Sequence, residues 1–162
     1  MEILKEGGVT APKGFKAASV AAEIKYKNRT DMAMIYSEKP CTQAGVFTTN
    51  IVKAAPVRWD KAVVTDSPYA QAVVVNSGIA NACTGNEGYE YCNQSAQCVA
   101  DCLGIDKSSV LVASTGVIGM QLPIDRIANG IKMLSESLED TIEAGTKAAQ
   151  AIMTTDTVSK QV

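Results

Sequence analysis

The sequence predicts an α/β (α+β) fold in which a layered sandwich of mixed or antiparallel β-sheets is flanked by helices. Several short strands come first along the chain, and two units of strand, loop and helix follow them. That order favours a mixed sheet over a doubly wound parallel one. The 162 residues, of which 46% are hydrophobic and 20% charged, are expected to form a single domain with its own core.

The first third of the chain contains three predicted strands, at residues 15–24, 31–37 and 44–48. The gaps between these segments are short, so antiparallel pairing is expected. Residues 50–59 are harder to assign, because Pro56 argues against a central strand there.

The second part of the chain alternates between strand and helix patterns. Residues 70–75 form a predicted buried strand, which runs into a loop of small polar residues at 76–85. Apolar residues then recur every three or four positions over 87–103, which predicts an amphipathic helix with Gly104 as its C-cap. The remaining predicted elements are a strand at 110–113, helices at 123–134 and 137–153, and a strand at 154–158.

Charge and composition exclude several classes of function. The net charge is −2 and there is no long basic run, which argues against a nucleic-acid surface or an anionic-membrane anchor. No window approaches the ~18 apolar residues of a membrane span, and the N-terminus lacks the pattern of a secretory signal. Five cysteines, an odd number without a CxxC pair, indicate a reducing compartment, and we expect the cytoplasm.

Two groups of side chains that could suggest a site have simpler explanations. Cys98 and Cys102 would lie one turn apart on a helix, but no histidine or second thiol pair completes a tetrahedral site. No metal centre and no cofactor are therefore predicted. A mildly basic N-terminal quarter is expected to be a solvated face; its lysines are Lys13, Lys16, Lys25 and Lys27.

The stretch at residues 110–119 carries the strongest functional signal. A short apolar run ends in Ser114-Thr115-Gly116, as expected where a buried strand meets a loop that a ligand can approach. Gly116 can adopt backbone angles that other residues resist, which would leave its N–H free to bind an anion or a developing oxyanion. An ordinary strand-to-helix turn is the alternative, since small polar residues and glycine are common in such loops.

Two other polar segments are weaker candidates. The loop at 76–85 has donors and acceptors for a small polar ligand, but its asparagines could equally cap the loop and the next helix. Residues 154–157 offer three threonine hydroxyls and one carboxylate, of which strand alternation would direct only two to any one ligand. The chain has no histidine, so Ser-His and Cys-His nucleophile pairs are excluded within it.

Six segments, taken together and in this order, resemble ornithine acetyltransferase, the glutamate N-acetyltransferase family of the cyclic arginine pathway. They span almost the whole chain, at residues 8–15, 44–50, 52–57, 75–78 with 81–85, 114–119 and 151–157. Any one of these segments would be weak evidence, but six in register are specific.

The resemblance implies a precursor that cuts itself before a threonine, giving an α chain and a β chain whose new N-terminal threonine is the nucleophile. Members move the acetyl group of N-acetylornithine to that threonine and then to glutamate, and some also accept acetyl-CoA. The family fold is N-terminal-nucleophile-like, with sandwiched sheets between helices. The implied assembly is a heterotetramer of two α and two β chains.

Residue by residue, the family's oxyanion hole falls on Thr115 and Gly116. A substrate contact falls on Thr154, with Thr155 as the one-residue alternative. The sequence stops before the family's lysine-bearing segment and cleavage-site threonine. We therefore expect an α-chain portion that lacks the end of the α chain and the whole β chain, and that carries no nucleophile. An N-terminal threonine can use its own α-amino group as base, which fits a chain without histidine.

Two other functions remain open from the sequence. A related self-cleaving hydrolase, similar to an aminopeptidase, would share the architecture. A non-catalytic binding or scaffolding domain would also lack a nucleophile. Production of acetylglutamate from acetylornithine and glutamate would separate the acetyltransferase from both.

Overall fold

A computed structural model describes residues 7–161, which form a four-stranded mixed sheet with helices on both faces. The strands are β1 (Phe15–Val20), β2 (Met32–Thr42), β3 (Tyr69–Asn76) and β4 (Val110–Ser114). The helices are α1 (Ala55–Asp66), α2 (Gly85–Leu103), α3 (Ile124–Glu136) and α4 (Ile142–Ala151), and a 3₁₀ turn spans Lys107–Ser109.

The sheet has the strand order β1-β2-β3-β4. The first three strands are antiparallel neighbours, whereas β4 runs parallel to β3 after a crossover through α2. Parallel strands end at the same edge of a sheet, and here the pairing places Asn76 opposite Ser114. The loops that leave β3 and β4 therefore start side by side.

Alternation along β2 divides the core between the two faces of the sheet. Met32 and Met34 pack with α1, α2 and α3 on one face, and both side chains are almost fully buried. Ala33 points to the other face, where it packs with Ala17 against Ala144 and Ala148 of α4. Small side chains on both surfaces allow α4 to approach the sheet closely.

The edge strand β4 is protected by side chains of α1. Trp59 donates its indole N–H to the carbonyl oxygen of Val110 at 3.0 Å. The Val112 N–H donates to a carboxylate oxygen of Asp60, also at 3.0 Å. These two bonds occupy backbone groups that an edge strand would otherwise offer to another chain.

Most of the predicted elements are confirmed. Strands begin at 15, near 31 and near 70, and the 110–113 strand is present as β4. The helix predicted over 87–103 is α2, and Gly104 caps it in the left-handed conformation with φ 65°. The helix predicted at 123–134 is α3. Within residues 7–161, no helix has the length and apolar character needed to cross a bilayer.

The predicted strand at 44–48 is wrong. Because β3 begins at Tyr69, opposite Thr42, residues 44–48 have no strand beside them among residues 7–161. Val46 projects into solvent with 99% of its surface exposed. The uncertain segment at 50–59 instead contains the start of α1, because Pro56 occupies the first turn of the helix, where its missing N–H breaks no helical bond.

The end of the described chain also differs from the prediction. Helix α4 is shorter than the predicted 137–153, because Thr141 caps it by accepting a bond from the Ala144 N–H at 3.1 Å. Residues 154–158 form bends and not the predicted strand, and they pair with no strand in the described part of the chain. The described residues therefore contribute one sheet to the expected sandwich, and the second sheet is not formed by residues 7–161.

The carboxyl group of Asp60 gives a testable pH dependence. Burial raises its pKa from 3.8 to about 6, against the lowering effect of the Val112 N–H. The folded state therefore holds the proton more tightly than the unfolded state, and stability falls as the pH rises from about 4 to about 6. Asp60→Asn keeps an acceptor for Val112 but removes the charge. Urea unfolding at pH 4.5 and pH 7 should show the variant gaining stability relative to wild type at the higher pH. Parallel pH profiles for the two proteins would contradict this assignment.

Candidate active site

The loops after β3 and β4 continue the parallel pairing beyond the ends of the strands. Thr115 donates its N–H to the Asn76 carbonyl at 3.0 Å, and Val117 donates to the Gly78 carbonyl at 3.1 Å. Ala80 returns a bond to the Val117 carbonyl at 2.9 Å. The two loops therefore form one rigid unit at the edge of the sheet.

A buried polar network fixes the start of both loops. The Ser114 hydroxyl donates to the side-chain oxygen of Asn76 at 2.7 Å and accepts a bond from the Asn81 N–H at 2.9 Å. The Asn76 amide donates in turn to the carbonyl of Ile79 at 2.8 Å. A buried network of this kind positions backbone when its members are all paired.

The side chain of Asn81 has a structural role at the start of α2. Its amide donates to the Gly88 carbonyl at 2.7 Å, and its oxygen accepts a bond from the Thr84 hydroxyl at 2.6 Å. Asn76, Asn81 and Thr84 are all buried. The polar side chains of the 76–85 loop therefore bond within the fold, and Gly78 is the residue of this loop that lines the cleft described below.

Gly116 lies where the two loops come closest. Its φ is 132°, a conformation that favours glycine, and a Cβ at this position would overlap the backbone carbonyl of Gly78. The residue is exposed to solvent, and among residues 7–161 its N–H donates to no acceptor. Thr115 beside it is half-buried, and its hydroxyl likewise has no partner within the described chain.

The residues proposed from the sequence meet in one open cleft of about 450 Å³. Thr115 and Gly116 lie on it, and so do both Thr154 and Thr155. Asp156 and Thr157 do not line it. Within the described part of the chain, the residues that line it are Lys25, Tyr26, Arg29, Gly78, Thr115, Gly116, Val117, Thr154 and Thr155.

Two hydrogen bonds bring the segment after α4 to this cleft. The buried Ser77 hydroxyl donates to the carbonyl of Ala151, the last residue of α4, at 2.7 Å. The Arg29 guanidinium donates to the carbonyl of Met153. Thr154 and Thr155 therefore follow directly from a segment that is tied to the β3 loop on one side and to the β1–β2 loop on the other.

Sequence reasoning missed the contribution of the loop between β1 and β2. Lys25, Tyr26 and Arg29 line the cleft, and Lys25 is exposed to solvent, as expected for the lysines of this region. Buried Asp31 shapes the loop, because its carboxylate accepts bonds from the N–H groups of Ala22 at 2.8 Å and Ile24 at 2.6 Å. No spacing in the sequence marks these residues, since only the turn of the loop brings them to the site.

The cysteines lie apart from this cleft. Burial raises the pKa of the Cys92 thiol to about 12 and that of Cys98 to about 11, which leaves both thiols protonated near neutral pH. Within residues 7–161, no three or more His, Cys, Asp or Glu side chains are grouped to hold a metal ion. No cysteine among residues 7–161 lines the cleft, so thiol chemistry there would require a group from outside the described residues.

Known proteins resemble this chain over almost all of its length. Residues 16–162 match the ArgJ family model. The arginine biosynthesis bifunctional protein ArgJ of Gloeobacter violaceus is 48% identical over 155 residues, which are 96% of this chain. The ArgJ 1 protein of Clostridium acetobutylicum is 49% identical over 163 residues and matches 100% of this chain. The chain spans only 38% and 39% of the length of these two relatives.

Solved structures show the same fold. Ornithine acetyltransferase from Mycobacterium tuberculosis, crystallised with ornithine, superposes with a TM-score of 0.91 at 44% identity; the match covers 96% of this chain and 83% of that one. The ArgJ protein of Bacillus halodurans gives a TM-score of 0.90 at 42% identity, over 96% of this chain and 80% of the solved one. On the family match and on these identities, the chain belongs to the ArgJ family.

Proposed function

We propose that this chain is the α portion of a glutamate N-acetyltransferase of arginine biosynthesis, which moves the acetyl group of N-acetylornithine to glutamate. The observation that carries the proposal is the unpaired pair of donors at Thr115 and Gly116, on a cleft that Thr154 shares, in a chain of the ArgJ family. The ornithine bound to the relative from Mycobacterium tuberculosis supports the substrate class.

The donors suit the stabilisation of a tetrahedral adduct. When a nucleophile adds to an amide carbonyl, the oxygen becomes negative, and donors already aimed at that position lower the barrier without reorganising. The Gly116 N–H and the Thr115 hydroxyl lie on adjacent residues of a loop that is held by backbone bonds on both sides. We assign both to the oxyanion hole, and Thr154, with Thr155 as its alternative, to substrate contact.

The nucleophile is proposed to be the N-terminal threonine of a β chain released from the same precursor. Its hydroxyl attacks the acetyl carbon of N-acetylornithine while its own α-amino group accepts the proton. The carbon–nitrogen bond then breaks, the proton passes to the departing ornithine amine, and an acetyl-threonine ester remains. The amine of glutamate attacks this ester, and the threonine hydroxyl is regenerated. Acetyl-CoA would donate to the same threonine, with its thiol as leaving group.

Two observations support a partner chain. The match covers 83% of the solved chain from Mycobacterium tuberculosis but 41% of the ArgJ protein of Mycolicibacterium paratuberculosis, so the solved chain is only about half as long as that relative. Large apolar side chains also face solvent, with 95% of Ile51 and 63% of Ile118 exposed. Exposed apolar residues of this kind are used in protein interfaces. We propose that the β chain covers them in an α2β2 heterotetramer.

The state of the cysteines bears on the compartment in which the protein works. All five cysteines of the chain are free thiols, which suits a reducing environment, and we propose the cytoplasm. A rice relative that is 44% identical is a chloroplastic protein, so a plant member of the family works in an organelle.

Thr115→Ala in the full enzyme should lower kcat by about 100-fold or more and leave KM nearly unchanged, because an oxyanion donor acts mainly in the transition state. Steady-state kinetics with N-acetylornithine and glutamate measure both constants. Thr115→Ser keeps the hydroxyl and should recover most of the rate. Thr65→Ala is the matched control, since the Thr65 hydroxyl bonds to the Lys61 carbonyl on α1 and is absent from the cleft. An unchanged kcat would remove Thr115 from the mechanism.

The purified chain alone should not transfer acetyl groups, because the proposed nucleophile is on the β chain. Mass spectrometry of a reaction with N-acetylornithine and glutamate should detect acetylglutamate only when the full-length, self-cleaved protein is present. Turnover by the chain alone would refute the two-chain assignment. The same full-length protein should leave a peptide amide intact; its hydrolysis, without acetylglutamate, would instead identify an aminopeptidase-like enzyme.

A further inference from the structure

We propose that Lys25, supported by Arg29, forms a subsite for the α-carboxylate that the acetyl donor and the acetyl acceptor have in common. The inference rests on the proposed function and assigns part of substrate recognition to the β1–β2 loop of this chain. Neither the family match nor the resemblance of the motifs assigns a role to these residues.

The charge of the cleft favours an anion. Lys25 and Arg29 both line it, and among residues 7–161 no aspartate or glutamate does. Neither cation has a carboxylate partner among residues 7–161, where the ion pairs join other lysines to acids. Asp31 follows the same loop, but its carboxylate is turned inward and accepts bonds from the loop's own N–H groups. Two uncompensated positive charges facing one cleft concentrate anions there.

Lys25 is close to the oxyanion donors. A Cβ built on Gly78 would lie 3.1 Å from the Cβ of Lys25, so the base of the lysine rests on that glycine. Gly78 in turn is in direct backbone contact with Gly116. The flexible four-carbon stem of lysine can then carry its ammonium group across the mouth of the cleft.

Both substrates carry a carboxylate close to the reacting nitrogen. In N-acetylornithine the carboxylate carbon is separated from the acetyl carbon by only the nitrogen and the α-carbon. An acetyl group whose oxygen is held at Thr115 and Gly116 therefore has its carboxylate only a few bonds away, within reach of the cleft that Lys25 also lines. Glutamate carries its α-carboxylate in the same relation to its attacking amine, so a single cationic subsite serves both halves of the reaction.

The Tyr26 ring lies close to both cations of the cleft, Lys25 and Arg29. The Lys25 ammonium lies 5.0 Å from the centre of the Tyr26 ring, and the Arg29 guanidinium carbon lies 6.0 Å from it. Arg29 also donates to the Met153 carbonyl, so it acts as a positioning residue for Thr154 as well as adding charge. A change at Arg29 would mix these two effects, which makes Lys25 the cleaner probe.

The test compares two acetyl donors in the full-length, self-cleaved enzyme: N-acetylornithine and N-acetyl-1,4-diaminobutane, which differs only by lacking the carboxylate. Lys25→Met should raise KM for N-acetylornithine and for glutamate by about tenfold, the usual cost of losing one charged hydrogen bond. Its kcat/KM with N-acetyl-1,4-diaminobutane should match wild type. Lys25→Arg should recover the KM values. Lys27→Met is the matched control, because Lys27 is exposed on the same loop and is absent from the cleft.

Three results would overturn the inference. Equal losses of kcat/KM with both acetyl donors in Lys25→Met would show that Lys25 has only a structural role. An equal rise in KM for Lys27→Met would indicate a general field effect. A rise confined to the KM for acetyl-CoA would show that Lys25 and Arg29 bind its phosphate groups and not the substrate carboxylate. Failure of the wild-type enzyme to make acetylglutamate at all would refute the proposed function instead, so the two failures are distinguishable.

Discussion

The direct contact between the loops that leave β3 and β4 is the constraint on which the cleft depends. Parallel pairing brings Asn76 opposite Ser114, and the backbone bonds of Thr115 and Val117 continue that pairing past the sheet. Only a residue without a Cβ fits at Gly116, because Gly78 occupies the space. This close packing uses the neighbouring N–H groups and leaves that of Gly116 open. A donor fixed in this way is ready before any substrate arrives, which is the condition for electrostatic catalysis.

Three separate parts of the chain converge on this contact. The Ser77 hydroxyl ties the end of α4 to the β3 loop, and the Arg29 guanidinium ties the next turn to the β1–β2 loop. The buried carboxylate of Asp31 holds that last loop in shape. The cleft is therefore lined by the glycines Gly78 and Gly116 and by the cationic side chains Lys25 and Arg29. The bonded loops after β3 and β4 position the glycines, and the β1–β2 loop positions the cations.

The elements with strong local signals were predictable from the sequence. The stripe that ends at Gly104 marked α2, and the turn after β4 marked Thr115 and Gly116 as residues of a possible site. Segments whose structure depends on distant partners could not be predicted from the sequence. Residues 44–48 have strand-like composition but no strand beside them, and residues 154–158 are placed by Ser77 and Arg29. Pro56 argued against a strand, and it lies in the first turn of α1. The bonds that Trp59 and Asp60 of this helix make to β4 could not be predicted from the local sequence. Lys25 and Arg29 carried no local signal because a turn of the loop brings them to the cleft.

A crystal structure of the assembled enzyme, trapped with an acetylated threonine, would show which groups bind the acyl oxygen. We expect this oxygen to lie about 2.7–3.1 Å from the Gly116 nitrogen and from the Thr115 hydroxyl. An acyl oxygen bound by other donors, with residues 115 and 116 turned away from the adduct, would contradict it.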